Sequence, residues 1–293
     1  MEKISDIKTL TEEELKNWLK EVGEKPFRAD QIRNRLFCGQ VKSFNEMETI
    51  PAALREKLSA NFRITSLEEA KRLISVDGTV KWLYQTHDGH HIETVLIPTN
   101  DRFSVCVSTQ IGCAQNCAFC RTAKMGFIRN LEAGEILEEI IRVNWYLEET
   151  GTKHSDGSLA KVTNIIFMGM GEPLNNLEQV HRVCCTLHHQ KLFNLGRKRM
   201  TISTSGVVPK IKELVDRNTP CCLAVSLNST NDERRSAVMP VNKVWNIAKL
   251  LEATDEYTKR TGNYVTFEFV LMKGITCSEE AAKELIRICA PRR

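Results

Sequence analysis

The chain from about residue 99 onward alternates short apolar runs with longer segments whose apolar residues recur at helical spacing. Such short runs are typical of strands buried on both faces, and the segment 132–149 places Ile136, Ile140 and Val143 on one helical stripe. Five strand–helix units predict an α/β fold, in which a parallel sheet with helices outside curls into a partial (βα) barrel without a last strand. The predicted strands are 103–108, 164–168, 199–204, 222–227 and 265–271.

Residues 1–68 carry a helical pattern instead. Thr11 and Glu14 have the spacing of a capping box at the start of a helix. Pro26 and Pro51 precede two further apolar stripes, as proline does at the first turn of a helix. The pattern predicts a small helical domain, which is either a bundle with a solvated basic surface or a domain that docks on nucleic acid. Its basic residues include Arg28, Arg33, Arg35, Arg55, Lys57 and Arg63.

Residues 69–98 contain two turn dipeptides, Asp77-Gly and Asp88-Gly, between β-rich runs. Asp-Gly favours the tight turns of hairpins. We therefore predict a β-meander that links the helical domain to the barrel at 99–293. Glu93 lies in the third run, where the sequence alone indicates an outward-facing strand residue. The predicted strands are 72–76, 80–86 and 92–97.

Composition narrows the class of protein only slightly. The net charge of +4 permits nucleic-acid binding without requiring it. No apolar run is long enough for a transmembrane helix, and the first residues lack the apolar core of a signal peptide, so we expect a cytoplasmic protein with no membrane partner. In such a protein, an odd total of 11 cysteines favours metal ligands or catalytic thiols over disulfides. Six of them are predicted to be small buried apolar residues: Cys38, Cys184, Cys185, Cys221, Cys222 and Cys289.

Three other cysteines, Cys113, Cys117 and Cys120, follow the first predicted strand and are separated by three and then two residues. A lone Cys-x-x-Cys would suggest zinc or a redox pair. Three thiols without a nearby fourth suggest an iron–sulfur cluster with one iron left open, since four thiolates are the usual number. The open iron can bind a substrate or cofactor, so the spacing predicts a catalytic cluster.

Polar motifs also follow the next three predicted strands, at the carboxyl ends that form the working face of a parallel barrel. Gly169-Met-Gly171 leaves room for a ligand to approach the backbone, and Glu172 can pair with a cationic group such as an ammonium. Ser203 and Ser226 offer hydroxyls, and Asn228 offers an amide. Each alone would be an ordinary strand-end residue, but together they predict a binding site beside the cysteines.

The Cys-x3-Cys-x2-Cys spacing, with Phe119 before its last cysteine, resembles the signature of the radical S-adenosylmethionine (SAM) superfamily. Longer segments resemble the RlmN/Cfr family of RNA adenine methyltransferases over nearly the whole chain. The resemblance implies a partial barrel of radical SAM type that holds one [4Fe-4S] cluster and cleaves SAM to a 5′-deoxyadenosyl radical. The segments are Phe27-Arg-Ala-Asp-Gln-Ile, Ile92-Glu-Thr-Val-Leu-Ile-Pro, Ser104-Val-Cys-Val-Ser-Thr-Gln-Ile-Gly-Cys, Lys124-Met-Gly-Phe-Ile-Arg-Asn-Leu, Met168-Gly-Met-Gly-Glu-Pro-Leu and Thr201-Ile-Ser-Thr-Ser-Gly-Val-Val-Pro.

The resemblance also assigns roles to individual residues. Glu93 corresponds to the proton acceptor of the family, and Cys106 to the thiol that resolves a protein–RNA adduct. Asn228 stands where many relatives have histidine, so the contact with the SAM ribose is expected to differ there. The cluster ligands would be Cys113, Cys117 and Cys120, and the SAM-binding residues would be Gly171, Glu172, Ser203, Ser226, Leu227 and Asn228.

RlmN-type members of this family methylate C2 of an adenine in 23S ribosomal RNA and in tRNA, whereas Cfr-type members methylate C8. The helical N-terminal segment and the sequence Met125-Gly-Phe-Ile-Arg-Asn favour the RlmN type. In the family reaction one SAM methylates a C-terminal cysteine, and another forms the radical that takes a hydrogen from this S-methyl group. The implied partners are the two RNAs and a reducing protein such as flavodoxin, and a monomer is expected.

The chain departs from the family pattern after its fifth strand–helix unit. The family's methyl-carrying cysteine and a SAM-contacting asparagine are expected beyond Arg293, so we expect a C-terminally truncated member that binds cluster and SAM weakly and does not methylate RNA. Cys277 is the alternative carrier, because the segment Thr276-Cys-Ser-Glu279 resembles a capping box and a helix N-terminus lowers the pKa of a thiol.

Two other functions stay open on sequence alone. A different radical SAM reaction, such as that of an activase or a mutase, would lack the context of Cys106 and the helical N-terminal domain. A non-catalytic zinc or iron–sulfur RNA-binding module would need a fourth ligand, and His90 and His91 are not at zinc-finger spacing. The basic run Arg197–Arg199 is compatible with RNA phosphates without being diagnostic.

Overall fold

The computed structural model of the protein describes residues 5–292, so Met1 to Ile4, in which we expect no signal peptide, and Arg293 lie outside the described residues. The strands are β1 (Ser5–Asp6), β2 (Phe62–Arg63), β3 (Leu67–Ile74), β4 (Val80–Thr86), β5 (His91–Thr99), β6 (Arg102–Cys106), β7 (Gln110–Gly112), β8 (Phe127–Asn130), β9 (Asn164–Phe167), β10 (Met200–Thr204), β11 (Cys222–Ser226) and β12 (Val265–Glu268). The helices are α1 (Glu12–Glu21), α2 (Arg28–Cys38), α3 (Ala52–Asn61), α4 (Ala133–Glu149), α5 (Leu177–His188), α6 (Val208–Asp216), α7 (Asp232–Val238), α8 (Ile247–Thr261) and α9 (Glu279–Cys289). Within this described part, no helix is both long and apolar enough to cross a membrane.

A mixed eight-stranded sheet forms the centre of the molecule, in the order β12-β11-β10-β9-β6-β5-β4-β3. In this sheet the strands β6, β9, β10, β11 and β12 run parallel to one another, which confirms the predicted strand–helix units. Because strand residues alternate between faces, Ile165, Ile202 and Leu223 are fully buried on the outer face, in one core with the helices. The inner face carries polar residues such as Ser203 and Ser226. This parallel half therefore offers strand ends that can form a site.

The predicted meander is continuous with the barrel sheet. β3, β4 and β5 are antiparallel to one another, and β5 pairs with β6 so that Val95 lies opposite Cys106. Lys81 lies opposite Val95 on the other side of β5, and Glu93 lies two residues before Val95 on β5 itself, opposite Leu83. All of these residues therefore share the inner face of the sheet with Cys106. The sequence pattern did not reveal this continuity, because the periodicity of a strand does not identify its neighbour. The division of the chain at residues 68 and 98 stays a prediction.

The N-terminal helices α1, α2 and α3 pack their apolar faces together, as the sequence predicts. The capping box is confirmed: the Thr11 side chain accepts a hydrogen bond from the Glu14 N–H, and the Glu14 carboxylate accepts one from the Thr11 N–H. A buried ion pair joins this part to the barrel, because Lys8 contacts both Asp6 (2.9 Å) and Glu138 of α4 (3.2 Å). Removing Lys8 would leave the buried Asp6 carboxylate without its cation, so this contact ties the segment before α1 to α4.

The burial of several cysteines differs from the prediction. Cys184 is buried, but its neighbour Cys185 is exposed, because consecutive positions on α5 face different directions. Cys38, at the end of α2, is also exposed. Apolar residues next to a cysteine in the sequence therefore do not show that the cysteine itself is buried. Of the other three, Cys221 is buried, and Cys222 and Cys289 are half-buried.

Candidate active site

The three cysteines lie in the loop of a small antiparallel hairpin, formed by β7 and β8, that the sequence pattern did not predict. Gly112, the last residue of β7, has a φ of +75°, and a Cβ atom on it would lie 1.7 Å from the carbonyl oxygen of Gly126. The N–H of Cys113 donates a hydrogen bond to the same oxygen (2.9 Å). This unit, residues 110–130, is called the cysteine hairpin below. Its loop closes through a backbone contact that only glycine permits at position 112.

The base of the cysteine hairpin is held by the segment that follows β9. The Asn176 amide donates hydrogen bonds to the carbonyl oxygens of Thr109 and Leu131, one on each side of the hairpin (2.8 Å each). The Gln110 side chain accepts a hydrogen bond from the Glu172 N–H (2.8 Å). These buried bonds fix the cysteines relative to the end of β9.

The glycines after β9 have a structural role that the sequence did not predict. A Cβ on Gly169 would lie 2.6 Å from the Val107 carbonyl oxygen, and one on Gly171 would lie 2.6 Å from the Gln110 Cβ. We expected these glycines to admit a ligand. In the structure, both glycines allow the end of β9 to pass close to Val107 and Gln110. Gly171 also lines the adjacent cavity.

The Glu172 carboxyl faces the same cavity but is only 3% exposed and is bonded within the protein. It accepts hydrogen bonds from the N–H and the hydroxyl of Ser205 (2.8 and 2.7 Å) and from the N–H of Leu174 (3.1 Å). Burial raises the pKa of Glu172, and the bonds from Ser205 oppose this shift. Glu172 therefore ties the end of β9 to the end of β10.

Glu268, at the end of β12, is a site residue that the sequence analysis missed. Its Oε2 accepts hydrogen bonds from the hydroxyls of Ser203 (2.7 Å) and Ser226 (2.9 Å). Glu268 thus sets the direction of both predicted ligand-binding hydroxyls. The available signal was an acidic residue inside an apolar strand-like run, on the same face as Ser226.

Leu227 and Asn228 are placed differently from each other. Asn228 has a left-handed φ of +55°, lines the cavity, and accepts a hydrogen bond from the Val270 N–H (2.9 Å). Leu227 is fully buried and is not among the residues that line the cavity. Its carbonyl oxygen accepts a hydrogen bond from Arg235 Nε (2.8 Å). The side chain of Leu227 therefore packs in the core, which leaves only its backbone near the site.

A cavity of about 480 Å³ connects these motifs, and this volume lies in the range of small-molecule sites. One wall is the cysteine hairpin, and the other is formed by the carboxyl ends of β9 to β12. The lining residues include Cys113, Cys117, Phe119, Cys120, Met168, Gly171, Glu172, Ser203, Ser226, Asn228 and Glu268.

Cys106 and Glu93 lie outside this lining, on the inner face of the sheet. Cys106 forms a hydrogen bond with the backbone of Met168, which does line the cavity. Burial, and then the nearby Glu139, raises the pKa of Cys106 to about 12, so this group is a thiol at neutral pH. The Glu93 carboxylate contacts Lys81 Nζ at 2.7 Å, and both side chains are nearly half exposed.

Glu139 of α4 is fully buried behind Cys106, on the outer face of the sheet. Its Oε2 accepts hydrogen bonds from the Thr94 hydroxyl and the Ser108 N–H (3.1 Å), whereas its Oε1 has no partner among the described residues. Burial raises the pKa of Glu139 well above its ordinary value, and the bonds from Thr94 and Ser108 oppose the shift. Burial therefore favours the protonated form of this carboxyl.

Glu139→Gln is expected to stabilise the protein increasingly as the pH rises. The unfolded chain ionises Glu139 around its ordinary pKa of 4.5, whereas burial raises its pKa in the folded protein, so the wild type loses stability as the pH rises above 4.5 and the glutamine variant does not. Urea unfolding at about pH 5 and pH 8 should show a relative gain for the variant at the higher pH of roughly 1 kcal/mol or more. Glu148→Gln, at the exposed end of the same helix, is the control. A stability difference that does not change with pH would contradict the assignment.

Comparison with known proteins identifies the family. The family model described as the ribosomal RNA large subunit methyltransferase N-terminal domain matches residues 5–64, and that of the radical SAM superfamily matches residues 107–286. A probable dual-specificity RNA methyltransferase RlmN from Bacillus licheniformis is 42% identical over 276 residues, which is 94% of this chain and 74% of that protein. The chain belongs to the RlmN family of radical SAM RNA methyltransferases.

Two further comparisons agree with the RlmN family. The dual-specificity RNA methyltransferase RlmN of Anaeromyxobacter dehalogenans is 42% identical over 283 residues, 97% of this chain and 75% of that protein. A crystal structure of a radical SAM methyltransferase from Sphaerobacter thermophilus has a TM-score of 0.90 and 38% identity, covering 97% of this chain and 82% of that chain. The predicted fold class, a partial barrel of radical SAM type, is confirmed.

The RlmN family implies a [4Fe-4S] cluster and SAM, and the residues of this chain fit both. Between residues 5 and 292, no three His, Cys, Asp or Glu side chains converge closely enough to hold one metal ion. The thiolates of a cluster each bind a different iron, and three thiols on one loop beside the cavity suit such a cluster. Burial raises the pKa of Cys113, and that of Cys117 to about 12, so cluster assembly must release protons.

Cys277 does not occupy the position that its sequence predicts. The N-cap of α9 is Ser278, whose side chain accepts a hydrogen bond from the Ala281 N–H, so Cys277 precedes the helix. The Thr276 hydroxyl instead donates to the Val270 carbonyl oxygen (2.6 Å) and does not cap the helix. Cys277 is exposed and outside the cavity lining, so its predicted position in the first turn of a helix at the working face is wrong.

The basic residues of this RlmN-family chain are largely bonded within the protein. Arg33 is buried and contacts Glu12 (2.9 Å), and Arg63 contacts Glu132 of the barrel (2.9 Å). The run Arg197–Arg199 precedes β10 and so lies at the opposite ends of the strands from the cavity. These positions favour structural roles for the three arginines Arg33, Arg63 and Arg199, the last of which donates to Asn164 (3.2 Å).

Proposed function

We propose that the protein to which this sequence belongs transfers a methyl group to C2 of adenine in 23S ribosomal RNA and in tRNA, through an S-methylcysteine intermediate. The observation that carries the proposal is the cavity in which the cysteine hairpin faces the polar ends of β9, β10 and β11. The names of the relatives, dual-specificity RNA methyltransferases, and the match to a ribosomal RNA methyltransferase domain support it.

In this proposal the cavity binds SAM next to the cluster. Cys113, Cys117 and Cys120 would hold the cluster, which would supply an electron for the cleavage of SAM. Glu268 orients the Ser203 and Ser226 hydroxyls, so that their lone pairs can accept hydrogen bonds from a ligand. The SAM-binding residues are Gly171, Glu172, Ser203, Ser226, Leu227 and Asn228, with Leu227 contributing backbone atoms alone.

Glu93 and Cys106 act on the RNA from the inner face of the sheet. Glu93 is the proposed proton acceptor, and its carboxylate forms an ion pair with Lys81. Cys106 is the proposed thiol that releases the methylated base, and it must first lose a proton because its pKa is raised. The target adenine has to leave its stack to reach these two residues.

Radical chemistry suits this substrate because an sp² carbon of adenine is a poor nucleophile towards SAM. A direct polar methyl transfer would therefore be slow, whereas a carbon radical adds readily to such a position. We also propose a small reducing protein such as flavodoxin as electron donor, a monomeric chain and a cytoplasmic location.

The function is tested by anaerobic reconstitution with iron and sulfide, followed by incubation with SAM, dithionite and either RNA. Mass spectrometry of the digested RNA should detect 2-methyladenosine, and the protein digest should contain a methylated cysteine. Cys113→Ala, which removes one ligand, is expected to reduce formation of 5′-deoxyadenosine by more than about a hundredfold.

The products separate the alternatives. 8-Methyladenosine would instead support the Cfr-type reaction. Release of 5′-deoxyadenosine without any methylated base would contradict RNA methylation and would support the sequence-based expectation of a member that binds cluster and SAM without methylating RNA. A cluster-free protein that still binds RNA would support the non-catalytic RNA-binding module.

A further inference from the structure

Arg235 of α7 is a fully buried arginine directly behind the cavity. Its guanidinium donates hydrogen bonds to the carbonyl oxygens of Ser205 (2.7 Å), Ser226 (3.1 Å) and Leu227 (2.8 Å). A fourth bond reaches Asn242 Oδ1 (3.0 Å). Three of these acceptors lie at or directly after the carboxyl ends of β10 and β11. A single side chain therefore forms hydrogen bonds with both strand ends that border the cavity.

The charge of Arg235 has no carboxylate partner within salt-bridge distance among the described residues, since all four of its acceptors are uncharged. The nearest acid in sequence, Asp232, has its carboxylate bonded by the Asn242 amide (2.9 Å) and by the Ile247 N–H (2.9 Å). A buried cation without a counter-ion is costly, and such groups are usually paired. Burial lowers the pKa of Arg235 to about 10, and Asp232 opposes this shift only from a distance, so a further anion bound nearby would stabilise the charge.

The cysteine hairpin lies against the same short helix. The Ala118 N–H donates a hydrogen bond to the carbonyl oxygen of Val238, the last residue of α7 (2.8 Å). Val238 and Met239 pack against Cys117. The helix that carries Arg235 therefore contacts the loop that holds the proposed cluster ligands.

We propose that Arg235 is a positioning residue with two effects: it holds the ends of β10 and β11 at the cavity, and its charge balances the thiolates of the cluster. A [4Fe-4S] centre with three thiolate ligands is anionic, and one-electron reduction adds a further negative charge. A fixed cation close to it favours the reduced form, because opposite charges attract strongly at a buried site. The inference rests on the assignment of Cys113, Cys117 and Cys120 as cluster ligands in the proposed function.

The charge is tested by redox titration of the reconstituted protein, followed by electron paramagnetic resonance of the reduced cluster. Arg235→Gln and Arg235→Met both remove the charge, and the second fills a similar space with an apolar chain if the first does not fold. Each is expected to lower the ratio of reduced to oxidised cluster at a fixed potential at least tenfold, a shift of about 59 mV for one electron. Arg235→Lys keeps the charge and should stay near the wild-type potential.

Arg234→Gln is the matched control, because it removes the same charge from the adjacent, more exposed residue, whose nearest acid is Glu280 at 4.0 Å. It should leave the potential unchanged. An unchanged potential in both neutral Arg235 variants would overturn the charge effect. If the unsubstituted chain takes up no iron and sulfide, the ligand assignment itself fails, which is a separate result.

The effect of the hydrogen bonds from Arg235 to the strand ends is tested by measuring SAM binding to the reconstituted protein by calorimetry. An ammonium group cannot span the acceptors that the planar guanidinium reaches, so Arg235→Lys should bind SAM about tenfold more weakly while its potential is retained. SAM affinity equal to that of the wild type in this variant would overturn the positioning effect.

Discussion

Gly112→Ala is expected to abolish cluster loading. A Cβ atom at this position would lie 1.7 Å from the carbonyl oxygen of Gly126 and 2.8 Å from its carbonyl carbon, and both are backbone atoms that cannot rotate away. The two strands of the cysteine hairpin would have to separate, which also breaks the hydrogen bond from the Cys113 N–H. We expect iron and sulfide per chain to fall more than about tenfold after anaerobic reconstitution, with a local strain cost on the order of 3 kcal/mol.

Gly126→Ala is the matched control for this variant. Gly126 lies in the same loop with a similar φ of +72°, but an added Cβ there would meet no atom within 4 Å. It should suffer only the backbone strain of a positive φ, about 1–3 kcal/mol, and should retain part of its iron. Equal iron contents in Gly112→Ala and the wild type would show that the hairpin does not need this close contact.

The second large effect is expected at Glu268. Glu268→Ala leaves the Ser203 and Ser226 hydroxyls without their common acceptor, and both can turn away from the cavity. Each lost hydrogen bond costs about 1 kcal/mol, so SAM affinity should decrease at least roughly tenfold. Calorimetric titration of the reconstituted protein with SAM measures this change directly.

Glu268→Gln separates geometry from charge. Its amide oxygen can still accept both serine hydroxyls, so affinity should stay within about threefold of the wild type if Glu268 acts by orienting them. Glu252→Ala, at an exposed position of α8, controls for general effects of removing a carboxylate. Unchanged affinity in Glu268→Ala would remove this residue from the site.

Much of the fold was predictable, because each element depends on residues close together in the chain. The capping box of α1 depends on Thr11 and Glu14 alone, and the parallel strands on apolar runs that must be buried on both faces. The errors arose where burial was inferred from sequence neighbours. Cys185 faces solvent beside the buried Cys184 because of helix geometry, and Cys277 precedes α9 because Ser278 takes the capping position.

The candidate site was predictable only in part, for a related reason. The motifs at strand ends could be collected on one edge because parallel strands place their carboxyl ends together. Glu268 could not be found this way, since its role depends on facing Ser203 and Ser226 across two strand pairings. Arg235 likewise looks like part of a charged run, and only the packing of α7 brings it to four acceptors on other segments.

The sequence by itself determined the strand–helix order, the cysteine loop and the resemblance to a family, because each depends on residues that are close together in the chain. The tertiary structure decided which polar groups meet: Glu172 with Ser205, Glu268 with two serines, and Gly112 with Gly126. These contacts join residues that are up to 65 positions apart. Burying a polar group without a partner costs free energy, so the fold adopts the arrangement in which these groups are paired, although the local pattern allows others equally.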